Sequence, residues 1–95
     1  MWIDQLIAAG PVVTDGAWGT QLQARGLSGG ACPDEWNLSH PDLVDQVPRQ
    51  YVDAGSQIVL TNTFRANRIA LASYHLADQL VNINRRGVEI SRVAA

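Results

Sequence analysis

The sequence predicts an α/β fold organised as a β-α-β unit. Three observations carry that expectation. Pro11-Val12-Val13-Thr14 is a short strand-like run that ends in a polar cluster, Asp15-Gly16-Ala17-Trp18-Gly19-Thr20. Gln57-Ile58-Val59-Leu60 is a second such run and ends in Thr61-Asn62-Thr63-Phe64. Between them lies a stretch with helical periodicity. In a β-α-β unit the two strands are parallel, so their C-terminal ends share one side of the sheet. Parallel α/β proteins build their sites on that side. A carboxylate, a glycine turn, two threonines and an asparagine are thereby expected on one rim.

Each element has a local justification. Asp4 to Ala9 reads as a short amphipathic helix, stopped by Gly10-Pro11, where the first strand begins. Thr20 to Arg25 reads as a helical turn or two, with Leu22 facing inward and Gly26 as its C-cap. Leu27 to Asp34, with its glycines and Pro33, reads as a loop. Ser39 is expected to be the N-cap of the next helix, with Pro41 in its first turn. That helix runs through Leu43, Val44, Val47, Tyr51 and Val52 at 3–4 spacing and ends at Ala54-Gly55. Pro48 lies inside it, removing one backbone hydrogen bond at a typical cost of ~3 kcal/mol. A kink, or a break into two short helices, is expected there.

The second strand is expected over Gln57 to Leu60 or Thr61. Its consecutive apolar residues suit a strand buried on both faces. Ala66 to Ser73 reads as another helical turn or two. The last segment is the clearest helix: Leu76, Leu80, Ile83, Gly87, Ile90 and Ala94 form one stripe at spacings of three and four. Val81 and Val88 are expected to widen it. Gly87 on a buried stripe predicts a close backbone approach. No stop signal follows at Ala95, so the chain reads as cut. There are no repeats and no low-complexity tracts.

Composition narrows the function classes. Ninety-five residues allow one small domain, residues 1–95, and 46% hydrophobic content is enough for a packed core. The net charge is −2 and the seven cations, all arginine, are scattered. Nucleic-acid binding has no electrostatic support. One cysteine, Cys32, excludes an internal disulfide framework and fits a reducing compartment. The N-terminus lacks a basic n-region and is interrupted by Asp4, so it is not a signal peptide. No apolar run approaches the ~20 residues needed to span a bilayer. A soluble cytoplasmic protein is the reading that follows.

Several residues are candidates for chemistry. The Asp15 carboxylate can hold an ammonium group, and Gly16 lets backbone N–H groups approach an anion. Together they would grip the zwitterionic end of an amino acid. The residues leave a second reading open, in which Asp15 caps the following turn. Thr61-Asn62-Thr63 offers hydroxyl and amide partners on the adjacent strand, ~4.8 Å away. Taken alone it reads as polar residues closing a strand. Phe64 reads first as a core residue, with a pocket wall as the alternative. His40 at a helix start suits a surface or capping role, and His75 on a polar stretch reads as solvated. The two histidines and Cys32 lack metal-like spacing, and Cys32 reads as an inert loop thiol. Arg85-Arg86 read as the solvated face of the last helix. No phosphate loop, dinucleotide fingerprint or nucleophile elbow is present.

Taken together, these segments resemble the homocysteine S-methyltransferase family. The carrying residues are Asp15-Gly16-Ala17-Trp18-Gly19-Thr20, Trp36-Asn37-Leu38-Ser39-His40-Pro41-Asp42, Tyr51 with Ala54-Gly55-Ser56, and Thr61-Asn62-Thr63-Phe64-Arg65-Ala66. Ile83-Asn84 and Ala94-Ala95 fit as well. The motifs occur in order, with family-like spacing, over nearly the whole chain.

The resemblance implies the N-terminal portion of a (β/α)8 TIM barrel, about two β-α units plus an N-terminal helix. It implies a zinc-bound homocysteine thiolate that attacks a methyl donor, methylcobalamin among the donors the family uses, to give methionine. It implies substrate contacts from Asp15, Gly16 and Thr61, with Asn62 and Phe64 beside them. The expected partners are homocysteine and a methyl donor or cobalamin-carrying module, and the open sheet edges are expected to favour self-association. Two positions depart from the family: Trp18 stands where it often has Met, and Pro48 where it often has His. The family's three zinc-binding cysteines, a lone one and a Gly-Gly-Cys-Cys pair, have no counterpart here, and Cys32 matches none of them. The chain is therefore expected to be inactive alone. A non-catalytic amino-acid-binding or interaction module derived from a barrel is the alternative.

Overall fold

The computed structural model describes residues 2–95, and its regular structure is helical. Helix α1 spans Trp2–Ala8, α2 Gly19–Ala24, α3 Trp36–Ser39, α4 Pro41–Asp53, α5 Arg68–Ala72 and α6 Leu80–Ala94. Short 3-10 turns at Pro33–Glu35 and Ala77–Gln79 lead into α3 and α6. None of the helices is long and apolar enough to cross a membrane.

The two runs expected as strands do not form strands among the described residues. They lie side by side and parallel, joined at one pairing of Thr14 with Ile58. Asp15 N–H donates to the Ile58 carbonyl at 3.0 Å, and the Gln57 and Ile58 N–H groups converge on the Val13 carbonyl at 2.7 and 3.3 Å. Side chains then end the ladder on both sides. Gln57 Oε1 accepts the Val13 N–H at 3.0 Å, and Asp15 Oδ2 accepts the Leu60 N–H at 2.8 Å. The next rung of a parallel ladder would use the Asp15 carbonyl, and the carboxylate takes its place. Burial of the second run on both faces is corrected too, since Leu60 is 61% exposed. A pair of segments with helices against one side has nothing to cover its other side.

The core lies in two neighbouring clusters. Leu22, Leu27, Trp36, Val44, Val47 and Ile90 form the larger, where α2, α4 and α6 meet. Cys32, Ala66, Leu71 and Ile83 form the smaller. The radius of gyration is 14.3 Å, against about 12 Å for a compact chain of this length. That excess matches a shape whose helices share a core on one side only.

Helix ends follow the expected chemistry. Gly26 (φ +108°) and Gly55 (φ +110°) take left-handed conformations just past α2 and α4. The following N–H groups, of Leu27 and Ser56, return to the carbonyls of Leu22 and Tyr51 at 3.1 and 2.9 Å, the Schellman arrangement. His75 (φ +60°) takes the same role after α5, where Leu76 N–H returns to Leu71 at 2.9 Å.

Three local expectations are corrected. Ser39 is not the cap of α4. It ends α3, and His40 stands at the cap position without a side-chain cap. Burial of the Trp36 ring and Asn37 draws 36–39 into a helical turn, which moves the start of α4 onto Pro41. Pro48 does not break α4, which continues as one helix through Asp53. Its ring is fully buried, and that packing offsets the missing hydrogen bond. The stripe of α6 is narrower than expected. Ile83, Gly87 and Ile90 are buried, whereas Val81 is 63% and Val88 49% exposed.

Candidate functional site

The rim expected from the sequence is occupied by a cavity of about 330 Å³. Gly16, Trp18, Gly19 and Leu22 line it from the first segment and α2, and Leu60, Thr61, Asn62, Phe64 and Arg65 from the second. Pro33 and Asp34 complete the wall. Of the five expected site residues, Gly16, Thr61, Asn62 and Phe64 all border this space.

Asp15 stands just behind that wall, and the capping role that the sequence left open is corrected. It makes no cap to α2. Its Oδ2 accepts two hydrogen bonds, from Trp18 Nε1 at 2.7 Å and from Leu60 N–H at 2.8 Å. One carboxylate oxygen thus ties the two segments and the start of α2 together. Gly16 meets Tyr51: a Cβ there would lie 3.1 Å from the phenol oxygen. Tyr51 in turn donates to the Ala17 carbonyl at 2.7 Å, fixing the turn after Asp15.

On the second segment, the Thr61 and Thr63 hydroxyls share a hydrogen bond of 2.6 Å. Asn62 is buried. Its Nδ2 donates to the Pro33 carbonyl and to Asn37 Oδ1, both at 2.9 Å. Phe64 is 94% exposed, so the core role that the sequence favoured is overturned, and its ring stands at the cavity mouth.

Asp34 was not singled out by the sequence. It is 1% exposed, lines the cavity, and accepts the Arg65 N–H at 2.9 Å. Burial pushes its carboxyl above the ordinary value, opposed by that N–H and by the Arg65 charge. The folded chain therefore holds the Asp34 proton more tightly than the unfolded chain does. That contribution to stability is full below the unfolded pKa near 3.8 and is lost as pH rises through the folded value. Asp34→Asn keeps an acceptor for the Arg65 N–H and removes the titration. The variant is expected to match the parent in urea midpoint at about pH 3.5 and to exceed it at about pH 7. A variant that loses ground as pH rises would overturn this account.

Asn37, Leu60 and Arg65 are further contributors that sequence reasoning missed as site residues. Asn37 was visible only as part of a motif, because its role is to bond other residues of the wall. Cys32 is buried and His40 and His75 are exposed. Among the described residues no group of three or more His, Cys, Asp or Glu side chains is placed to hold a metal ion.

Known proteins are similar to this chain in sequence and fold. The chain is 37% identical over 99 residues to methionine synthase of Mycobacterium leprae, a match covering 96% of this chain and 8% of that protein. It is 39% identical over 92 residues to methionine synthase of Mycobacterium tuberculosis, covering 88% and 8%. It therefore spans about 8% of the length of these curated relatives. The structure superposes on the crystal structure of the homocysteine methyltransferase MmuM from Escherichia coli, metallated form, with a TM-score of 0.83 and 26% identity. That match covers 97% of this chain and 33% of the other. The family model for homocysteine S-methyltransferases matches residues 12–95, and on that match the chain belongs to the homocysteine S-methyltransferase family.

Proposed function

We propose that this chain forms the homocysteine-binding rim of a homocysteine S-methyltransferase and is the N-terminal portion, about two β-α units, of its (β/α)8 barrel. The observation that carries the reading is the cavity bordered by Gly16, Thr61, Asn62 and Phe64, with the Asp15 carboxylate held just behind its wall by the lining residues Trp18 and Leu60. A cavity of about 330 Å³ is ample for one amino acid. In this reading Asp15 takes the α-ammonium group and the backbone at Gly16 admits the α-carboxylate. Thr61 adds a hydroxyl, Asn62 holds the second segment in place, and Phe64 covers the apolar part of the ligand. The homocysteine thiol gives up its proton to solvent, its sulfur forms a bond to the methyl carbon, the donor leaves with the electron pair of the broken bond, and methionine results.

The residues of this segment do not fit a zinc site, since the lone thiol, Cys32, is buried in the smaller core cluster. No step is assigned to a metal here. The zinc implied for the whole enzyme, and a methyl group carried by a cobalamin module, are supplied in this reading by residues outside the segment. The second reading is a binding module without turnover.

Isothermal titration of L-homocysteine into the chain tests the proposal. Asp15→Asn keeps an oxygen for the Leu60 N–H while removing the charge. It is expected to weaken binding by about tenfold or more, as loss of a charge-assisted contact does. Unchanged affinity removes Asp15 from the site, and no binding by the parent chain overturns the assignment. Binding with no methionine formed when a methyl donor is added favours the module reading for the isolated segment.

A further inference from the structure

Trp18 is the side chain at the rim whose polar atom has one evident use. Its indole N–H donates to Asp15 Oδ2 at 2.7 Å, a short charge-assisted bond, and its ring lines the cavity. The Leu60 N–H fills the same oxygen at 2.8 Å. Both donors converge on Oδ2, and Oδ1 accepts no hydrogen bond from any described residue. A carboxylate held by only one of these donors is free to rotate and to exchange its two oxygens. Held by both, from two different segments, it keeps one oxygen engaged with the protein and leaves the other available.

We propose that Trp18 is a positioning residue for Asp15, fixing the carboxylate so that Oδ1 is the oxygen presented to the ammonium group of the ligand. This rests on the reading of the cavity as an amino-acid site. The indole acts through Asp15 and has no contact of its own with the ammonium group. Its effect is therefore selective: it changes the binding of ligands that carry the ammonium group and leaves others alone.

The test compares the unaltered chain with Trp18→Phe, which keeps an aromatic wall and removes the donor. Two ligands are titrated: L-homocysteine, and 4-mercaptobutanoate, the same molecule without its amino group. Trp18→Phe is expected to raise the Kd for homocysteine about tenfold and to leave that for 4-mercaptobutanoate within about twofold. Equal losses for both ligands would show that Trp18 only packs against the cavity, and no loss for either would also overturn the proposal. A second measurement needs no ligand. The Leu60 amide donates to the same Oδ2, so its hydrogen is expected to exchange with solvent about tenfold faster in Trp18→Phe, where the carboxylate turns and holds it less of the time. Unchanged exchange overturns the positioning role even if homocysteine binds. If the unaltered chain binds neither ligand, the amino-acid-site reading falls, and the Leu60 exchange alone decides whether Trp18 fixes the carboxylate.

Discussion

Asn37→Leu is expected to lower the thermal midpoint of the chain by about 12–25 °C, the equivalent of about 3 kcal/mol in a domain of this size. Asn37 is fully buried. Its Nδ2 donates to the Asn62 carbonyl at 2.8 Å and to the Ile83 carbonyl at 3.1 Å. Its Oδ1 accepts from Asn62 Nδ2 at 2.9 Å. Leucine fills a similar volume, so the expected loss comes from the partners left behind. The Asn62 carbonyl loses this donor, and Asn62 Nδ2 keeps only the Pro33 carbonyl. Each abandoned buried group costs about 1–3 kcal/mol. Among the described residues no buried side-chain nitrogen or oxygen lacks a partner, so there is no slack to absorb the change.

Asn37→Asp sharpens the test. It keeps the shape and turns the donor toward Asn62 and Ile83 into an acceptor facing two carbonyls. It is expected to be worse than leucine near neutral pH and to recover in acid, because only the protonated acid has a hydrogen to donate. A thermal shift for Asn37→Leu below about 3 °C would show that this junction contributes little. On the proposed reading of the cavity as an amino-acid site, which Asn62 borders, the same substitution is expected to weaken homocysteine binding as the wall loosens.

The positions of the longer helices and the glycine-capped C-terminal ends were legible in the sequence because local chemistry decides them, whereas the start of α4 was not. Leu22 at the inward face, Gly26 and Gly55 past the helix ends, and Ile83 and Ile90 on one stripe all follow from spacing of three and four and from the left-handed cap. The strands were not legible as strands. Pro11 to Thr14 and Gln57 to Leu60 have the composition of buried strands, but a strand exists only through its partners. Here two segments share a single rung, and the side chains of Gln57 and Asp15 take the next hydrogen bonds. Val81 and Val88 fail for a related reason. Apolar character says that a side chain is suited to burial, and it does not supply the surface that would bury it.

The cavity at the rim was legible in its location and less so in its wiring. Two parallel segments bring Gly16 beside Thr61 and Asn62, as their shared direction requires. Which atom bonds which is a tertiary fact. Asp15 carried two readings from sequence, and the structure gives it a third task, holding Trp18 and Leu60. Asp34 carries no local signal of burial, because it follows Pro33 in a loop. Its burial comes from the return of the chain at Arg65, about thirty residues later.

Gly87→Ala sets two effects of opposite sign against each other. Alanine in a helix interior is favoured over glycine by about 1 kcal/mol. The new Cβ, however, would lie 2.8 Å from Asn37 Nδ2, 2.9 Å from Thr63 Cγ2 and 3.2 Å from the Asn62 carbonyl. Overpacking of this kind costs about 1–3 kcal/mol. The decisive point is whether the neighbours can give way. Thr63 is half-buried, with its hydroxyl bonded to Thr61 at 2.6 Å, and has limited room to shift. Asn37 has none, because its amide is held between two carbonyls at 2.8 and 3.1 Å. The clash is therefore expected to win, with a net loss of about 1–2 kcal/mol and a thermal midpoint lower by about 4–16 °C. The cause is separable from the effect. In an Asn37→Ala background, kept folded with sucrose, the tightest obstacle is gone, and the helix preference of alanine, the Thr63 methyl and the milder 3.2 Å contact with the Asn62 carbonyl remain. Gly87→Ala is expected to be neutral or stabilising there, a coupling of about 1–3 kcal/mol between the two positions. An equal loss in both backgrounds would place the obstacle at Thr63 or the Asn62 backbone instead of at the Asn37 amide.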